Sequence, residues 1–142
     1  MTNQHTGSCF CGKITVQVSG PTVSEGFCHC NDCRNWSGTP VTAYALWPAP
    51  QVQITSGADF LKRWSKTGAC VRAHCSECGS LMLSEIPAAG LTDVYPLRLT
   101  DRPFTPQAHV HYGVRVVDLP DGLPKFADMP DTAGGTGRMI DE

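Results

Sequence analysis

Seven of the eight cysteines lie in three short clusters, which constrain the fold more than any other feature of this 142-residue sequence. Residues 9–12 read C-x-C-G, residues 28–33 read C-x-C-x-x-C, residues 75–79 read C-x-x-C-G, and Cys70 stands alone. In a reducing compartment, clustered cysteines are metal ligands or redox groups. Residues 1–7 show no basic segment followed by an apolar stretch, so we expect no secretory signal and a cytoplasmic location, although a mature domain that had lost its signal would look the same.

The first and third clusters together predict a structural zinc site. Cysteines with one or two residues between them bring two sulfurs onto one ion, and the glycine that follows lets the backbone bend tightly. Two such pairs supply the four sulfurs of a tetrahedral zinc, which we assign to Cys9, Cys11, Cys75 and Cys78. A metal that joins such distant segments contributes its binding free energy to folding. The alternatives are a disulfide or free thiols.

The middle cluster predicts a second zinc, which makes two per chain. Cys28, Cys30 and Cys33 supply three sulfurs and leave one of four positions for water or substrate, as in catalytic zinc sites. An open zinc lowers the pKa of a bound water or acts as a Lewis acid. Two alternatives stay open: a closed site in which Cys70 or a histidine is the fourth ligand, and a cluster without metal.

The histidines carry a weaker signal. His29 lies between two predicted ligands and is a candidate general acid or base, although the residue inside a C-x-C usually points away from the ion. His109 and His111 are spaced to share one face of a strand, where they could grip a ligand or simply be solvated. We expect His74 to be a packing or surface residue and His5 to lie in a flexible end. The roles of Cys70, His109 and His111 stay undecided.

Short strands dominate the predicted fold. With 14 glycines and 11 prolines, the sequence favours turns, and no window of ten residues keeps a helical period. Residues 13–18 and 109–117 alternate apolar and polar side chains, as half-buried strands do. Other candidate strands lie at 41–47, 52–54, 60–64, 71–73, 81–86 and 94–99. We therefore predict a mainly β, single-domain antiparallel sheet protein, either a sandwich or an open barrel.

Domain boundaries and excluded classes follow from the same composition. We expect a flexible N-terminus over residues 1–6, a zinc-binding domain over 7–126 and a loose, Gly-rich tail over 127–142. The net charge of −2 and the lack of a Lys/Arg-rich segment argue against nucleic-acid binding through a zinc ribbon. No apolar run approaches 18 residues, so we expect no membrane span. Nothing in the sequence indicates the oligomeric state.

The cysteine clusters and their neighbours resemble one known family. The pattern is similar to that of the glutathione-dependent formaldehyde-activating enzymes, also called the centromere protein V/Gfa domain, over about residues 7–126. The matching segments are Gly7–Gly12, Cys28–Arg34 with Gly38, Cys75–Gly79, Pro106–His109 and Leu119–Phe126. Three cysteine clusters in order, each with its neighbours, make this resemblance specific.

The resemblance implies a fold, two metals and an activity. It implies a mainly β, Mss4-like fold with a structural zinc on Cys9, Cys11, Cys75 and Cys78, and a second zinc, associated with catalysis, on Cys28, Cys30 and Cys33. The family's named activity joins glutathione and formaldehyde into S-(hydroxymethyl)glutathione, which is carbon–sulfur lyase chemistry. A small-molecule thiol such as glutathione and an aldehyde are then the expected partners. The alternative function is a non-catalytic zinc module that binds a protein partner.

Overall fold

The computed structural model describes residues 3–142, in which ten short strands and one short helix are the main regular elements. The first five strands are β1 (Gln4–Ser8), β2 (Thr15–Ser19), β3 (Ser24–Cys28), β4 (Thr42–Pro48) and β5 (Val52–Ser56), with helix α1 (Asn31–Ser37) between β3 and β4. The other five are β6 (Leu61–Ser65), β7 (Val71–Cys75), β8 (Leu81–Ile86), β9 (Leu91–Val94) and β10 (His109–Val110). The prediction of a mainly β fold is confirmed.

The chain forms two compact units, of which the first comprises residues 3–24 and 45–104. It contains an antiparallel sheet of order β1-β2-β5 and a run of antiparallel strands of order β4-β9-β8-β7-β6. Strand β1 passes close to the backbone at Arg98. A Cβ on Gly7 would lie only 1.7 Å from the carbonyl oxygen of Arg98. Glycine is therefore required at this position.

The apolar core of this unit follows the alternation in the sequence. Ile14, Val16 and Val18 are fully buried, as the pattern over residues 13–18 predicts. They belong to one cluster of buried side chains that also contains Ala45, Trp47, Ala73, Met82, Leu83, Val94, Leu99 and two cysteines, Cys9 and Cys75. Two predicted zinc ligands thus lie within the core itself.

The second unit comprises residues 25–44 and 105–142. Strand β10 pairs in parallel with β3, so that His109 lies opposite Phe27 and Val110 opposite Cys28. The two segments come unusually close at Gly26, where a Cβ would lie 2.2 Å from the carbonyl oxygen of Ala108. This pairing carries the chain directly into the C-x-C-x-x-C cluster, since His29 N–H donates to the carbonyl of Val110 at 3.0 Å.

Helix α1, which the sequence did not predict, begins at that cluster. The side chain of Cys30 caps it by accepting the backbone N–H of Cys33 at 3.3 Å, and Gly38 ends it with φ 68°. With seven residues, α1 is too short to show a helical period in a ten-residue window. In the sequence, this helix is indicated only by the spacing of Cys30 and Cys33 and by Gly38.

Two expectations about local structure are wrong. Residues 109–117 do not form one strand, because His111 adopts φ 55° and a 3-10 turn over Tyr112–Val114 follows, leaving His109 and Tyr112 both buried. The candidate strand over 94–99 stops at Val94, since Pro96 begins another 3-10 turn. The predicted flexible segment 1–6 includes residues 1–2, which lie outside the described residues; from Gln4 onward β1 pairs with β2, and the boundary of this segment stays a prediction.

Residues beyond Phe126 are hydrogen-bonded to the rest of the second unit. Ile140 N–H donates to the carbonyl of Lys125 at 2.8 Å, and the carboxylate of Asp128 accepts from the hydroxyl of Thr136 at 2.8 Å. The carboxylate of Glu142 lies 3.0 Å from the ammonium of Lys125. The expected loose tail over 127–142 is thus folded back by these contacts, while the boundaries of the domain itself stay a prediction.

Among residues 3–142, no helix combines the length and the apolar character needed to cross a bilayer.

Candidate metal centres and the buried histidine pair

The four cysteines of the first and third clusters converge in the first unit. The Sγ atoms of Cys9, Cys11, Cys75 and Cys78 all lie within 4.8 Å of one another. The Sγ–Sγ distance is 3.5 Å between Cys9 and Cys11 and 3.8 Å between Cys11 and Cys75. A tetrahedral zinc with bonds of about 2.3 Å places its sulfurs about 3.8 Å apart, so the four thiols fit this ion.

Two tight turns build this cluster. Gly12 and Gly79 adopt φ 82° and 79°, and their N–H groups donate to the carbonyls of Cys9 and Cys75 at 3.1 and 2.8 Å. Each turn directs backbone N–H groups at sulfur, as with the N–H of Ile14, which lies 3.3 Å from Cys9 Sγ. Such donors stabilise thiolates and orient them toward a metal.

The protonation of these thiols shows how they share charge. The hydroxyl and N–H of Ser80 lower the pKa of Cys78 to about 5, in spite of its partial burial. The N–H of Lys13 lowers the pKa of Cys11, but burial and the neighbouring thiols together raise it to about 11. The neighbouring sulfurs thus make the Cys11 thiol harder to ionise, and the charge of a bound divalent ion would favour its thiolate form.

The middle cluster forms a second group, in the other unit. The Sγ atoms of Cys28, Cys30 and Cys33 lie within 4.8 Å of one another, and all three residues are partly buried. Among residues 3–142, no His, Cys, Asp or Glu adds a fourth ligand atom to this group, and Cys70 belongs to neither cluster. A three-sulfur group of this kind is the donor set of a zinc site with one open position.

Hydrogen bonds couple the three thiols. Those from Cys28 and Cys33 lower the pKa of Cys30 far below its ordinary value. The same contacts with Cys30 and Cys33, together with burial, raise the pKa of Cys28. The Cys30 thiolate therefore accepts hydrogen bonds from the two neighbouring thiols. A metal ion that replaced their protons would allow all three sulfurs to ionise.

A buried histidine pair adjoins this cluster. Nε2 of His29 lies 2.8 Å from Nδ1 of His109, and Nε2 of His109 lies 2.7 Å from the carboxylate of Asp121. Both histidines are 0% exposed. Nδ1 of His29 is also buried but has no hydrogen-bond partner. Burial, followed by the charges of His109 and Arg115, lowers the pKa of His29 to about 4, so this ring is neutral at pH 7.

Tyr112 and Lys125 enclose the pair. The Tyr112 ring meets both histidines edge-on, with centroids 4.9 Å from His29 and 5.3 Å from His109. The fully buried ammonium of Lys125 donates to Asp121 at 2.8 Å. Burial raises the pKa of Asp121, but hydrogen bonds from Lys125 and His109 outweigh it and hold that pKa well below its usual range. Asp121 is therefore an anion that accepts from both neighbours.

The structure separates the histidines that the sequence placed together. His109 is buried rather than solvated, whereas His111 is half-buried, in the left-handed backbone region, and does not continue the strand. His74 lies in β7 opposite Lys62 and is half-buried. His5 lies in β1, with Nδ1 3.3 Å from the carboxylate of Asp101, rather than in a flexible end.

Sequence reasoning missed Asp121 and Lys125 as members of the site. Both belong to the segment 119–126 that contributed to the family resemblance, but nothing else in the sequence signals that Lys125 is buried. An aspartate four residues before a lysine usually indicates a solvated surface pair. Here an isolated parallel bridge between His109 and Lys125 brings the segment next to β10, and the N–H of His109 donates to the carbonyl of Pro124 at 2.9 Å.

Fold and site together define a class of β-sheet protein with two cysteine clusters suited to metal. A sequence model of the glutathione-dependent formaldehyde-activating enzyme family matches residues 4–113, most of the chain. The chain therefore belongs to this family, as its cysteine pattern suggests. Asp121 and Lys125 lie beyond the matched residues.

Two relatives extend the comparison. An uncharacterized lyase of Schizosaccharomyces pombe is 24% identical over 79 residues, and this match spans 56% of each chain. A crystal structure of a Rhodobacter sphaeroides protein superposes with a TM-score of 0.58 at 18% identity, covering 69% of this chain and 90% of the other. At such identity, the structural likeness shows the fold alone.

Proposed function

We propose that this chain is a zinc-dependent lyase-type enzyme that joins a thiol to an aldehyde, with glutathione and formaldehyde as the first pair to test. The observation that carries the proposal is the three-sulfur group of Cys28, Cys30 and Cys33, to which no fourth protein ligand is added within residues 3–142. Membership of the glutathione-dependent formaldehyde-activating family and the lyase name of the S. pombe relative support the same chemistry.

In this proposal the two clusters have different roles. Cys9, Cys11, Cys75 and Cys78 hold a zinc that stabilises the fold, since two of them belong to the apolar core. Cys28, Cys30 and Cys33 hold a second zinc, which supplies a Lewis acid for a thiolate or a carbonyl oxygen. Keeping so many thiols reduced fits a cytoplasmic location.

The chain's own residues hold the second centre in place. Arg34 fixes the backbone beside the cysteines, since its Nε donates to the carbonyl of His29 at 2.8 Å and its Nη2 to that of Val114 at 3.2 Å. His29, which is buried beside the cluster, is the residue we assign as the candidate general acid or base. The Tyr112 ring packs edge-on against the ring of His29, with centroids 4.9 Å apart.

Exchange spectroscopy tests the proposed reaction directly. Glutathione and ¹³C-formaldehyde form their adduct spontaneously, so two-dimensional exchange NMR at equilibrium compares the rate with and without protein. We expect exchange to accelerate in proportion to the concentration of zinc-loaded protein. Cys30→Ser should abolish this acceleration, whereas the matched control Cys70→Ser, which alters a cysteine outside both clusters, should keep it.

Elemental analysis and native mass spectrometry of the same samples complete the test. Two zinc ions per chain are expected in the wild type and in Cys70→Ser, and one in Cys30→Ser. A wild-type protein that carries both ions but accelerates no exchange, with glutathione or with a panel of other thiols and aldehydes, would contradict the proposed enzyme. A binding role for the module would then be the better explanation.

A further inference from the structure

A cavity of about 310 Å³ lies in the first unit, between the inner faces of its two sheets. Its apolar lining consists of Ala49, Val52, Ile54, Ala58, Leu61 and Leu83. Arg63, Glu85 and Thr92 complete its walls, and we refer to it as the sheet cavity. Among the described residues, neither a cysteine nor a histidine lines it, so it is not part of either metal centre.

Strand β5 contributes one wall of the sheet cavity. Val52 lies opposite Val18, and Ile54 opposite Val16, in the antiparallel pairing of β5 with β2. Directly opposed residues point to the same face of a sheet, and Val16 and Val18 belong to the buried core. Val52 and Ile54 therefore face the core as well, but they are only partly buried, and β5 is the last strand of its sheet.

Strands β6 and β8 contribute to the opposite wall. Arg63 lies opposite Ala73 of β7, which in turn lies opposite Leu83 of β8. Ala73 and Leu83 belong to the core, so Arg63 lies on the inner face of this sheet, in line with them. Glu85 lies two residues after Leu83 in the same strand and shares this face. A charged pair thus lies on the apolar face of a sheet, where it lines the cavity.

The Arg63–Glu85 pair leaves donors for a further acceptor. Nε and Nη2 of Arg63 donate to the two carboxylate oxygens of Glu85 at 2.8 and 3.3 Å. These bonds use two of the five N–H groups that a guanidinium has. Both side chains are partly exposed, Arg63 at 49% and Glu85 at 35%, so a ligand can reach them. A carboxylate in the cavity can therefore accept from the remaining N–H groups without displacing Glu85.

Charge defines the class of ligand that fits here. Residues 58–72 contain Lys62, Arg63, Lys66 and Arg72 but only one acidic residue, Asp59. Such an excess of positive charge attracts anions and disfavours an ammonium group. The polar part of a ligand in the sheet cavity is therefore expected to be a carboxylate.

The volume of the cavity sets the size of the ligand. An apolar cavity of about 150 Å³ in another protein takes one benzene molecule, so the sheet cavity has room for about twelve non-hydrogen atoms. Water is a poor occupant of its apolar part, since a buried water needs several polar partners.

We propose that the sheet cavity binds a small apolar carboxylate, whose hydrocarbon part packs against Ile54, Leu61 and Leu83 and whose carboxylate binds Arg63. Burial of the hydrocarbon supplies most of the affinity, and the guanidinium selects the anion. The cavity and the metal centres have no residue in common, so this inference is independent of the proposed function.

Titrations followed by methyl ¹H–¹³C spectra of the zinc-loaded protein test this site. The probes are 3-phenylpropanoate, 3-phenylpropan-1-ol and 3-phenylpropan-1-amine, which share a carbon skeleton and differ in the terminal group. We expect 3-phenylpropanoate to shift the methyl signals of Ile54, Leu61 and Leu83, with a Kd on the order of 1 mM. The neutral alcohol should bind about fivefold more weakly, and the cationic amine more weakly still.

Two substitutions in β6 separate binding by Arg63 from general charge attraction. Arg63→Gln removes the guanidinium from the cavity, so 3-phenylpropanoate should bind it no more tightly than the alcohol does. Lys62→Gln removes the same charge from the opposite face of the strand and should change the Kd less than about twofold. Both variants should keep the zinc content and the thiol–aldehyde exchange of the wild type.

The same titrations can overturn the proposal. Unshifted methyl signals at up to about 10 mM 3-phenylpropanoate would show that the cavity is not a binding site. Equal affinity for the acid and the alcohol in the wild type, or equal weakening by Arg63→Gln and Lys62→Gln, would remove the role of Arg63. Shifts confined to residues of the second unit would mean that the carboxylate binds there instead. The proposed function is tested separately by exchange spectroscopy and stands or falls independently.

Discussion

Nε2 of His29 lies 2.8 Å from Nδ1 of His109, and neither ring has any exposed surface. One ring belongs to a cysteine cluster near the start of the chain and the other to strand β10, 80 residues later. The contact therefore links the candidate metal centre to Asp121 and Lys125, which hold the far side of His109. Stability and chemistry in the second unit should both depend on it.

The first prediction concerns the contribution of this contact to stability. His109→Phe keeps a ring of similar size but leaves the N–H of His29 and one oxygen of Asp121 without their partner. We expect a loss of about 1–3 kcal/mol in the free energy of unfolding, the cost of one unsatisfied buried polar group, because the His29 ring is buried whereas the Asp121 carboxylate can be hydrated. Urea denaturation of the zinc-loaded proteins, followed by circular dichroism, measures this.

A surface histidine–aspartate pair provides the control. His5 contacts Asp101 at 3.3 Å, but both side chains are partly exposed. His5→Phe should therefore change stability by less than about 0.5 kcal/mol. Equal losses in the two variants would show that burial of the His109 network contributes nothing.

The second prediction concerns the close approach of strands β3 and β10. A Cβ on Gly26 would lie 2.2 Å from the carbonyl oxygen of Ala108 and 3.0 Å from the hydroxyl of Tyr44. Gly26→Ala should therefore separate the strand pair that carries His109 and cost about 3 kcal/mol. Gly122→Ala, where φ is 81° but nothing lies within 4 Å, should cost only about 1 kcal/mol. Thermal unfolding of both variants tests this prediction. A Gly26→Ala protein as stable as the wild type would show that β3 and β10 lie farther apart than the structure indicates.

The third prediction concerns the pH dependence set by Asp93. Burial raises the pKa of this carboxyl to about 7, although the N–H of Ala45 donates to it at 3.0 Å. Its folded pKa lies above the unfolded value of about 3.9, so between pH 4 and 7 the native state holds the extra proton and stability falls as pH rises. Asp93→Asn removes this penalty and should raise stability at pH 8 by about 1–3 kcal/mol, with little effect at pH 4.

Denaturation across this pH range, at fixed zinc concentration, tests the sign. The exposed Asp59 offers a matched control, Asp59→Asn, which makes the same substitution on the surface. A gain for Asp93→Asn at pH 4 equal to that at pH 8 would mean that packing rather than charge is responsible.

The sequence predicted those parts of the molecule that depend on local pattern. Strands β2 and β8 lie where the sequence predicted them; in β2 alternating side chains match the pleat, and Val16 and Val18 are buried accordingly. The grouping of four cysteines in one place and three in another is also found in the structure, because the short spacings fix each half of a group locally. Whether zinc occupies them stays a prediction.

Residues 109–117 show what local pattern cannot reveal. Their alternation indicated one strand with His109 and His111 on the same face, but the chain reverses at His111 with φ 55°. The reason is tertiary: His111 N–H donates to the carbonyl of Asp128 at 2.7 Å, and Tyr112 N–H to that of Phe126 at 2.9 Å. Contacts with later residues override the strand propensity, and they also bury Lys125, which a sequence places on the surface by default.

The last prediction compares the two cysteine clusters as metal sites. In comparable sites, zinc binds with about 10–16 kcal/mol, which equals or exceeds the usual net stability of about 5–15 kcal/mol. Cys75→Ser removes a ligand that belongs to the apolar core, so the first unit should be largely unfolded at 37 °C and the chain should lose that zinc. Cys33→Ser should lose only the other zinc, because its cluster lies in the second unit, and should keep the hydrogen-exchange protection of β2 and β8. Hydrogen exchange and zinc analysis of both proteins distinguish the effect of Cys75→Ser from that of Cys33→Ser. An equal loss of protection in the two variants would contradict separate roles for the clusters.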